Sequence, residues 1–328
     1  MSLLIAAMLC GGSPQEGARV VEFFGYNDCI ELTNDSTRVV LCPAAGGRVL
    51  VYAINGKNAL YLPPRGKGFH WDPQNPKRGA MDAGRFDIGP EQLVPKRPAL
   101  WMGPWKGEIT AARTARLTSV KDEATGVQLV REFVLSPKSS RLKVSQTIVN
   151  VSDEPKEYCH WSRTFALGGG TVVIPTSARS RFPEHYVMYE NGSTMNFRPS
   201  DPNITKANTH LAITAAPKFP KLGMDSQAGW FLYLMREDMM FAKTFKVSPD
   251  RHYNEVAGLT VSIWYPDQDR IPTVELEPIG PAEKLQPGES ATFTETWYLL
   301  PHKYPGQDSD IQLRPLAEKL HAVASKPE

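Results

Sequence analysis

Apolar and polar residues alternate with a period of two along much of the chain, which is typical of β-strands with one solvated face. Residues 141–149, RLKVSQTIV, show this alternation most clearly. Asn55–Gly56 lies between the alternating segment 48–54 and the apolar segment 59–62, and this dipeptide is the strongest short signal for a β-hairpin. Further strands are predicted at residues 38–41, 107–119, 128–135, 230–235, 239–246, 259–264, 273–276 and 290–300. The chain is therefore predicted to belong to the all-β class.

A helical period appears near the C-terminus, where apolar residues at positions 313, 316, 320 and 323 predict one short helix. Two long segments, 63–105 and 179–221, are rich in residues that favour loops. Loops of this length are uncommon inside a domain and often carry function. The sequence has no clear internal repeat and no low-complexity linker. We therefore predict one domain over residues 21–328, preceded by an N-terminal segment, 1–20.

Composition and charge exclude several classes of protein. The 328 residues are 41% apolar and 22% charged, which is the composition of a folded protein rather than a disordered one. The 37 basic and 35 acidic side chains give a net charge of +2, and no run of Lys or Arg marks a nucleic-acid surface. No apolar stretch reaches the roughly 18 residues of a membrane-spanning helix. With no Cys/His quartet and no Asp-rich loop, we predict no metal site, and we predict no cofactor.

The first residues resemble an export signal or form a disordered terminus. The apolar run 3–9 is followed by small and polar residues, as in a signal peptide, although the usual basic segment before it is missing. Cys10 stands where a bacterial lipoprotein carries its lipidated cysteine, but Met8 and Leu9 fit that processing site poorly. We therefore predict export to the periplasm or the cell exterior, with lipid anchoring at Cys10 as an option. The alternative is a frayed, mildly apolar terminus.

The spacing of the cysteines also bears on whether the protein is exported, because disulfides form in oxidising compartments. Residues 29–42 read as two strands, and a two-residue loop at Asp35–Ser36 would place Cys29 opposite Cys42 at a non-hydrogen-bonded position. Cα atoms at such positions lie about 4.5 Å apart, at the short end of what a disulfide accepts. We therefore predict a Cys29–Cys42 disulfide, with two buried free thiols as the alternative. Cys159 is left unpaired and is expected in the core.

Three segments carry a family resemblance through their order and spacing. Residues 31–62 contain a hairpin, the Gly-rich turn AAGGR, a strand and an Asn-Gly turn. Residues 146–170 contain a strand, an Asn-containing turn and the sequence CHWS, and residues 274–300 contain a carboxylate strand, a Pro-Gly-Glu turn and a last aromatic strand. This order resembles the galactose mutarotase-like (aldose 1-epimerase-like) superfamily. The segments AGRFDIGPEQL and VELEPIGP resemble a bacterial DUF4380-type branch of it most.

The resemblance implies a fold and a set of site residues. The fold is a β-supersandwich of large antiparallel sheets with a sugar cleft on one concave face. Matching the family's base and acid residue by residue gives Glu277 and His160 as the catalytic pair. Substrate-binding roles are expected for His70, Trp71, Arg85, Glu91, Trp161, Arg163, Lys243, Tyr253 and Glu275. The family's Asn-His pattern is missing and no aspartate matches its mid-chain carboxylate, so the fold carries over more firmly than the activity.

The residues themselves indicate related chemistry. Glu275 and Glu277 alternate on a strand and share one face, where two carboxylates raise each other's pKa and suit acid–base catalysis. Aromatic rings stack on sugars, while cations bind their hydroxyl or acidic groups, and Trp101 and Trp105 add to this surface.

Plainer interpretations of the same residues stay open. His160 beside an aromatic residue also fits a hydrogen-bonded structural histidine. Arg85 and Glu91 also fit an ion pair that braces the long loop. Lys243 also fits a lysine on a solvated strand face.

We therefore expect an exported, monomeric protein that binds a carbohydrate and acts on it by His160/Glu277 acid–base chemistry, as an aldose epimerase-like isomerase. One alternative is a non-catalytic carbohydrate-binding module. Another is a polysaccharide lyase or glycoside hydrolase acting on an acidic glycan, with Tyr253 and Asn254 as its candidates.

Overall fold

The computed structural model describes residues 15–74, 83–190, 194–266, 272–307 and 309–326. Most of the predicted export signal, including Cys10, lies outside the described residues. The helices are α1 (Pro98–Met102) and α2 (Leu313–Ala324). The strands are β1 (Ala18–Phe23), β2 (Tyr26–Thr33), β3 (Thr37–Cys42), β4 (Arg48–Ile54), β5 (Lys57–Asn58), β6 (Gly84–Gly89), β7 (Lys106–Ala111), β8 (Thr114–Asp122), β9 (Val127–Leu135), β10 (Leu142–Asn150), β11 (Lys156–Leu167), β12 (Thr171–Pro175), β13 (Val187–Tyr189), β14 (Met195–Asn196), β15 (Ile204–Lys206), β16 (His210–Ile213), β17 (Lys221–Met224), β18 (Trp230–Met235), β19 (Met239–Phe245), β20 (Val261–Trp264), β21 (Thr273–Leu285) and β22 (Ser290–Pro301).

These strands form two large antiparallel sheets. In the described residues, the first sheet has 12 strands in the order β1-β2-β3-β4-β6-β11-β21-β20-β17-β13-β14, with β5 paired to β4. The second has 10 strands in the order β15-β16-β12-β18-β19-β22-β10-β9-β8-β7. The predicted all-β class, the large antiparallel sheets and the short C-terminal helix are confirmed.

The main hydrophobic core lies between the two sheets, because alternate residues of each strand face the other sheet. Phe86 and Leu276 from the first sheet and Phe133 and Trp297 from the second are all fully buried there. Helix α2 covers the opposite face of the second sheet with Leu316 and Leu320. Within the described ranges, no helix has the length and apolar content needed to cross a membrane.

The N-terminal hairpins follow the sequence signals closely. Asn55 and Gly56 adopt φ values of 50° and 79°, as a two-residue hairpin turn between β4 and β5 requires. Strand β1 starts at Ala18, which pairs with Leu32 of β2, so the folded part begins a few residues before the predicted boundary at residue 21.

The predicted Cys29–Cys42 disulfide is not formed. The register from Thr33↔Arg38 to Ile30↔Leu41 continues to place the two cysteines opposite each other, as predicted, but both are free and fully buried. The neighbouring Cys29 thiol, together with burial, raises the pKa of the Cys42 thiol. Cys159 is also a free, buried thiol, as expected.

Candidate functional site

Charged side chains occupy the central part of the first sheet, on the face that points away from the second sheet. Strands β6, β11 and β21 are neighbours there, and their register pairs Arg163 with Arg85 and Trp161 with Asp87. The residues between them in sequence, such as Phe86 and Leu276, face the core. We call the outward set the polar strip, and it consists of Arg85, Asp87, Trp161, Arg163, Glu275 and Glu277.

A pair of carboxyl groups lies at the centre of the polar strip. Glu275 accepts two hydrogen bonds from Arg163, from Nε at 3.0 Å and from Nη2 at 2.9 Å. Glu277 Oε2 accepts a hydrogen bond from Trp161 Nε1 at 2.7 Å, and Glu277 Oε1 lies 3.8 Å from Arg163 Nη2. Both carboxyl groups are fully buried.

The two carboxyl groups of the pair have opposite pKa shifts. Burial opposes ionisation of Glu275, but Arg163 outweighs it and lowers the pKa of Glu275 to about 2. Burial and the neighbouring charge of Glu275 raise the pKa of Glu277 well above its usual range. The prediction that each raises the other's pKa is therefore correct for Glu277 only, because Arg163 neutralises Glu275. Burial and the charge of Glu275 therefore favour the protonated form of Glu277, while Arg163 favours the ionised form of Glu275.

Helix α1 closes one side of the polar strip. Asp87 Oδ1 accepts hydrogen bonds from Arg97 Nε at 2.7 Å and from Trp101 Nε1 at 2.8 Å. Although burial opposes it, Arg97 holds the pKa of Asp87 below its usual range. The Trp101 ring in turn lies 5.0 Å from the guanidinium carbon of Arg85, at cation–π distance.

Arg85 is a buried cation without a carboxylate partner among the described residues. It is 8% exposed, and burial followed by the charge of Arg163 lowers its pKa. The predicted Arg85–Glu91 ion pair is not formed, because Glu91 pairs instead with Lys221 of β17 and with Arg163, at 3.4 Å. Arg85 is therefore positioned to meet a negative charge or a lone pair from a ligand.

Several buried polar atoms around the polar strip lack hydrogen-bond partners in the described part of the chain. They are Arg85 Nε, Asp87 Oδ2, Glu277 Oε1 and the Tyr189 hydroxyl. Tyr189 belongs to this region because the Lys221 ammonium lies 4.9 Å from its ring. Buried polar groups are nearly always satisfied, so this cluster is typical of a place where a polar ligand or water completes the site. Among the described residues, no three His, Cys, Asp or Glu side chains converge as metal ligands.

No protein-family model and no curated protein sequence matches the chain. Solved structures match it at low identity. A putative aldose 1-epimerase from Escherichia coli K12 is 12% identical, with a TM-score of 0.56 over 82% of this chain and 98% of that one. A galactose mutarotase-like protein from Lactobacillus casei is 10% identical, with a TM-score of 0.57 over 83% and 100%. A galactose mutarotase related enzyme from Lactobacillus acidophilus is 11% identical, with a TM-score of 0.55 over 84% and 98%.

The chain has the galactose mutarotase-like fold. At these identities the likeness concerns the fold alone, and the expected architecture is thereby confirmed.

His160 does not reach Glu277 in this galactose mutarotase-like fold. It precedes Trp161 on β11 and therefore points to the opposite face, into the core. Its ring lies 5.8 Å from those of Phe86 and Phe293, and its Nε2 is 3.0 Å from the carbonyl oxygen of Ala291. Burial lowers the pKa of His160 to about 4, so the ring is neutral at pH 7. The structure separates the predicted acid and base, and His160 fits the alternative of a structural histidine.

Lys243 also faces the core and not the polar strip. It is therefore neither a substrate-binding residue of the polar strip nor a lysine on a solvated strand face, as the sequence had suggested. Its ammonium is fully buried, donates to Thr164 Oγ1 at 2.8 Å, and lies 3.3 Å from Glu295 Oε2. It also donates to the carbonyl oxygen of Leu276 at 3.3 Å. Burial lowers the pKa of Lys243 to about 8. Because Leu276 lies between Glu275 and Glu277, this lysine supports the polar strip from beneath.

The remaining predicted residues are scattered. His70 lies edge-on to Tyr26 of β2 at 5.4 Å, and within the described residues neither His70 nor Trp71 is bonded to the polar strip. Trp105 donates to the carbonyl oxygen of Leu100 at 3.1 Å and belongs to the core. Tyr253 lines a separate cleft, where its hydroxyl accepts a hydrogen bond from the Ser248 amide at 3.0 Å.

Sequence reasoning missed four residues of this region: Asp87, Arg97, Tyr189 and Lys221. Asp87 carried a signal, since it lies two positions from Arg85 and therefore shares its face of a strand. Tyr189 and Lys221 lie in or at the end of the aperiodic segment 179–221, and no local pattern connects them to β11.

Proposed function

We propose that the protein binds a carbohydrate at the polar strip and exchanges protons with it through Glu277, as an aldose epimerase-like isomerase. The observation that carries this proposal is the buried Glu275–Glu277 pair. Arg163 donates two hydrogen bonds to Glu275 and favours its ionised form, while burial and the charge of Glu275 favour the protonated form of Glu277. The fold neighbours support a carbohydrate ligand, since two of them are described as galactose mutarotase-like or related.

Interconversion of sugar anomers needs one proton delivered to the ring oxygen and one removed from the anomeric hydroxyl. Protonated Glu277 supplies the first, through the oxygen Oε1 that has no hydrogen-bond partner among the described residues. Once Glu277 has released that proton, its carboxylate is the stronger base of the pair, because its pKa is raised whereas that of Glu275 is lowered, and it accepts the second proton. The pair ends with the one proton with which it began, so the chemistry balances without His160.

The surroundings of the pair suit a sugar. Arg85 and Lys221 offer donors for sugar hydroxyl groups, and so does the Tyr189 hydroxyl, which has no hydrogen-bond partner among the described residues. Glu91, 36% exposed, offers an acceptor at the edge of the polar strip.

A non-catalytic carbohydrate-binding module is the second candidate. The full burial of both carboxyl groups favours it, because a buried Arg163–Glu275 ion pair also fits a structural role. The lyase alternative has less support, since Tyr253 lies in a different cleft from the polar strip.

The test is anomeric exchange measured by NMR on a panel of neutral and acidic sugars, together with saturation transfer. Wild type should accelerate exchange of one sugar, and Glu277→Gln should lower that rate by about 100-fold or more. Glu157→Gln is the matched control, because Glu157 is an exposed carboxylate on the same strand as Arg163. Unchanged exchange in Glu277→Gln would refute the role of Glu277, while saturation transfer without exchange in wild type would favour the binding module.

The proposal includes an exported, monomeric protein of the DUF4380-type branch. Its support is the apolar run 3–9 with Cys10, and the placing of AGRFDIGPEQL and VELEPIGP on β6 and β21, the strands that form the polar strip. Mass spectrometry of the membrane and soluble fractions from cells that express the full chain tests cleavage and lipidation at Cys10.

A further inference from the structure

A second cleft, of about 250 Å³, lies where β17 ends and β20 begins. Three arginines and a histidine line it, against one carboxylate. The lining includes Arg179, Arg181, Asp225, Arg251, His252 and Tyr253. This lining gives the cleft an excess of positive charge.

Two of the arginines are fixed in position by backbone carbonyl groups. Arg181 Nη2 donates to the carbonyl oxygens of Ala257 at 2.7 Å and Gly258 at 2.8 Å. Gly258 has a φ of 72°, which favours glycine, and the missing side chain leaves room for Arg181 Nη2 to approach. Arg251 Nη2 likewise donates to the carbonyl oxygen of Ala282 at 2.7 Å. Guanidinium groups held in this way lose little further conformational freedom when a ligand binds.

The carboxylates near these arginines are already engaged. Asp225 accepts hydrogen bonds from the Ser180 hydroxyl at 2.6 Å and from the Arg181 amide at 2.7 Å. Glu283 accepts hydrogen bonds from both Nη atoms of Arg251, at 2.9 and 2.8 Å. These contacts leave the carboxylates with little capacity to neutralise a third cation.

Arg179 is that third cation. Its exposed side chain makes no ion pair or hydrogen bond with the described residues. Tyr253, 9% exposed, accepts a hydrogen bond at its hydroxyl from the Ser248 amide, which leaves the phenolic proton to donate. The cleft therefore presents donors and a positive charge without a matching acceptor.

We infer that this cleft binds the oxyanion of a small ligand, a carboxylate, phosphate or sulfate group, through Arg179, Arg181 and Tyr253. Guanidinium groups match such oxyanions in charge and in hydrogen-bond geometry. The volume admits the charged group and little more than one sugar ring, since each water of liquid occupies about 30 Å³.

The position of the cleft relative to the polar strip suggests how a ligand would lie. The Ile279 amide donates to the carbonyl oxygen of Thr260 at the edge of the cleft, and Ile279 is two residues, about 7 Å, along β21 from Glu277. A ligand long enough to reach both sites would lie along this stretch of β21. That placing rests on the proposed function, whereas the anion site does not.

The experiment is calorimetric titration of the full chain with inorganic phosphate, inorganic sulfate, glucuronate and neutral glucose, at low and high NaCl. We expect saturable binding of at least one anion that weakens with salt, and Arg179→Gln should weaken it about tenfold or more. Lys121→Gln, which removes an exposed cation from β8 in the other sheet, should leave it unchanged. The anion that binds most tightly shows whether the natural ligand carries a phosphate, a sulfate or a carboxylate group.

Two results would overturn the inference: no binding of any of the three anions, or equal affinity in Arg179→Gln and wild type. Arg179 has no structural partner in the described residues, so loss of folding does not confuse the result. Glu277→Gln should bind inorganic phosphate and inorganic sulfate as wild type does, because neither ion carries a sugar ring to contact Glu277. It therefore separates failure of the anion site from failure of the proposed proton transfer.

Discussion

Glu275 and Glu277 are two residues apart on one strand, yet their replacement by glutamine should change stability in opposite directions. Glu275 is fully buried and doubly hydrogen-bonded to Arg163. The fall of its pKa from 4.5 to about 2 corresponds to about 3 kcal/mol of stability at neutral pH. Glu275→Gln should therefore lower the free energy of unfolding by up to this amount. The loss is reduced where Glu277, 3.8 Å from Arg163, ionises in its place.

The pH dependence of the Glu275 effect follows from the direction of its shift. The folded-state pKa lies below the unfolded value, so the stabilisation is fully present above pH 4.5 and is lost as the pH falls towards 2. The difference between wild type and Glu275→Gln should shrink over that acidic range.

The pKa shift of Glu277 has the opposite effect on the free energy of unfolding. The native state keeps its proton above pH 4.5, where the unfolded chain loses it, so Glu277 costs wild type stability as the pH rises. Glutamine resembles the protonated acid and carries no such cost. Glu277→Gln should therefore be more stable than wild type at pH 7 and should match it near pH 4.

Urea denaturation of wild type and both variants between pH 3 and about 8 measures these differences. Glu157→Gln, an exposed carboxylate 3.7 Å from Lys284, should change stability by less than about 1 kcal/mol at every pH. If both strip variants lose stability at pH 7, Glu277 is ionised in the native protein, and the assignment of a protonated acid is wrong.

Two further predictions concern buried groups away from the polar strip. Lys243→Met should destabilise the protein by about 3–5 kcal/mol because it leaves Glu295 buried and unpaired, whereas Lys243→Met/Glu295→Leu should recover most of that loss in urea denaturation; equal losses would show that the pair is not coupled. In a Cys10→Ser variant, thiol titration should find no reactive thiol in the folded protein and three after denaturation, since three buried cysteines are free. A count of one after denaturation would instead establish the Cys29–Cys42 disulfide.

The elements that the sequence predicts well are those with strong local alternation. Strands β4 and β18 have the predicted bounds, and β9, β10, β19 and β22 differ by one or two residues. The β2–β3 register also follows from counting, because a two-residue loop fixes which residues face each other. The predicted strand 107–119 is in fact two strands, β7 and β8, joined by a turn at Arg113, whose φ of 49° is left-handed.

Strand β6 shows what local pattern cannot supply. Its six residues, GRFDIG, lie at the centre of the first sheet and are all buried, but two are charged and two are glycine. The charge of Asp87 is stabilised there by Arg97 and Trp101, which both donate to its Oδ1. Those partners lie 10 and 14 residues away, so period and propensity give no sign of them.

The alternation of side chains between the two faces of a strand explains why the pairing of His160 with Glu277 was predicted wrongly. His160 and Trp161 are adjacent on β11, so a regular strand can present only one of them to Glu277. The family resemblance favoured the histidine, whereas the structure presents Trp161 and Arg163. The choice of face depends on packing against β21, where the register shifts between Cys159 and Trp161, and no local sequence signal fixes that shift.

The charge balance of the polar strip connects its two unusual groups. In and beside the polar strip, Arg85, Arg97, Arg163 and Lys221 contribute four positive charges. Asp87, Glu91 and Glu275 contribute three negative ones when Glu277 and the neighbouring Glu255, whose pKa burial also raises, are both protonated. The excess charge corresponds to Arg85, the cation without a carboxylate partner in the described residues. Loss of the Glu277 proton would balance the site, and so would negative charge that develops on a ligand beside Arg85. If the ligand carries negative charge beside Arg85, Glu277 can keep its proton until it transfers that proton to the ring oxygen of the sugar. Arg85 would therefore support the role of Glu277 as the proposed acid.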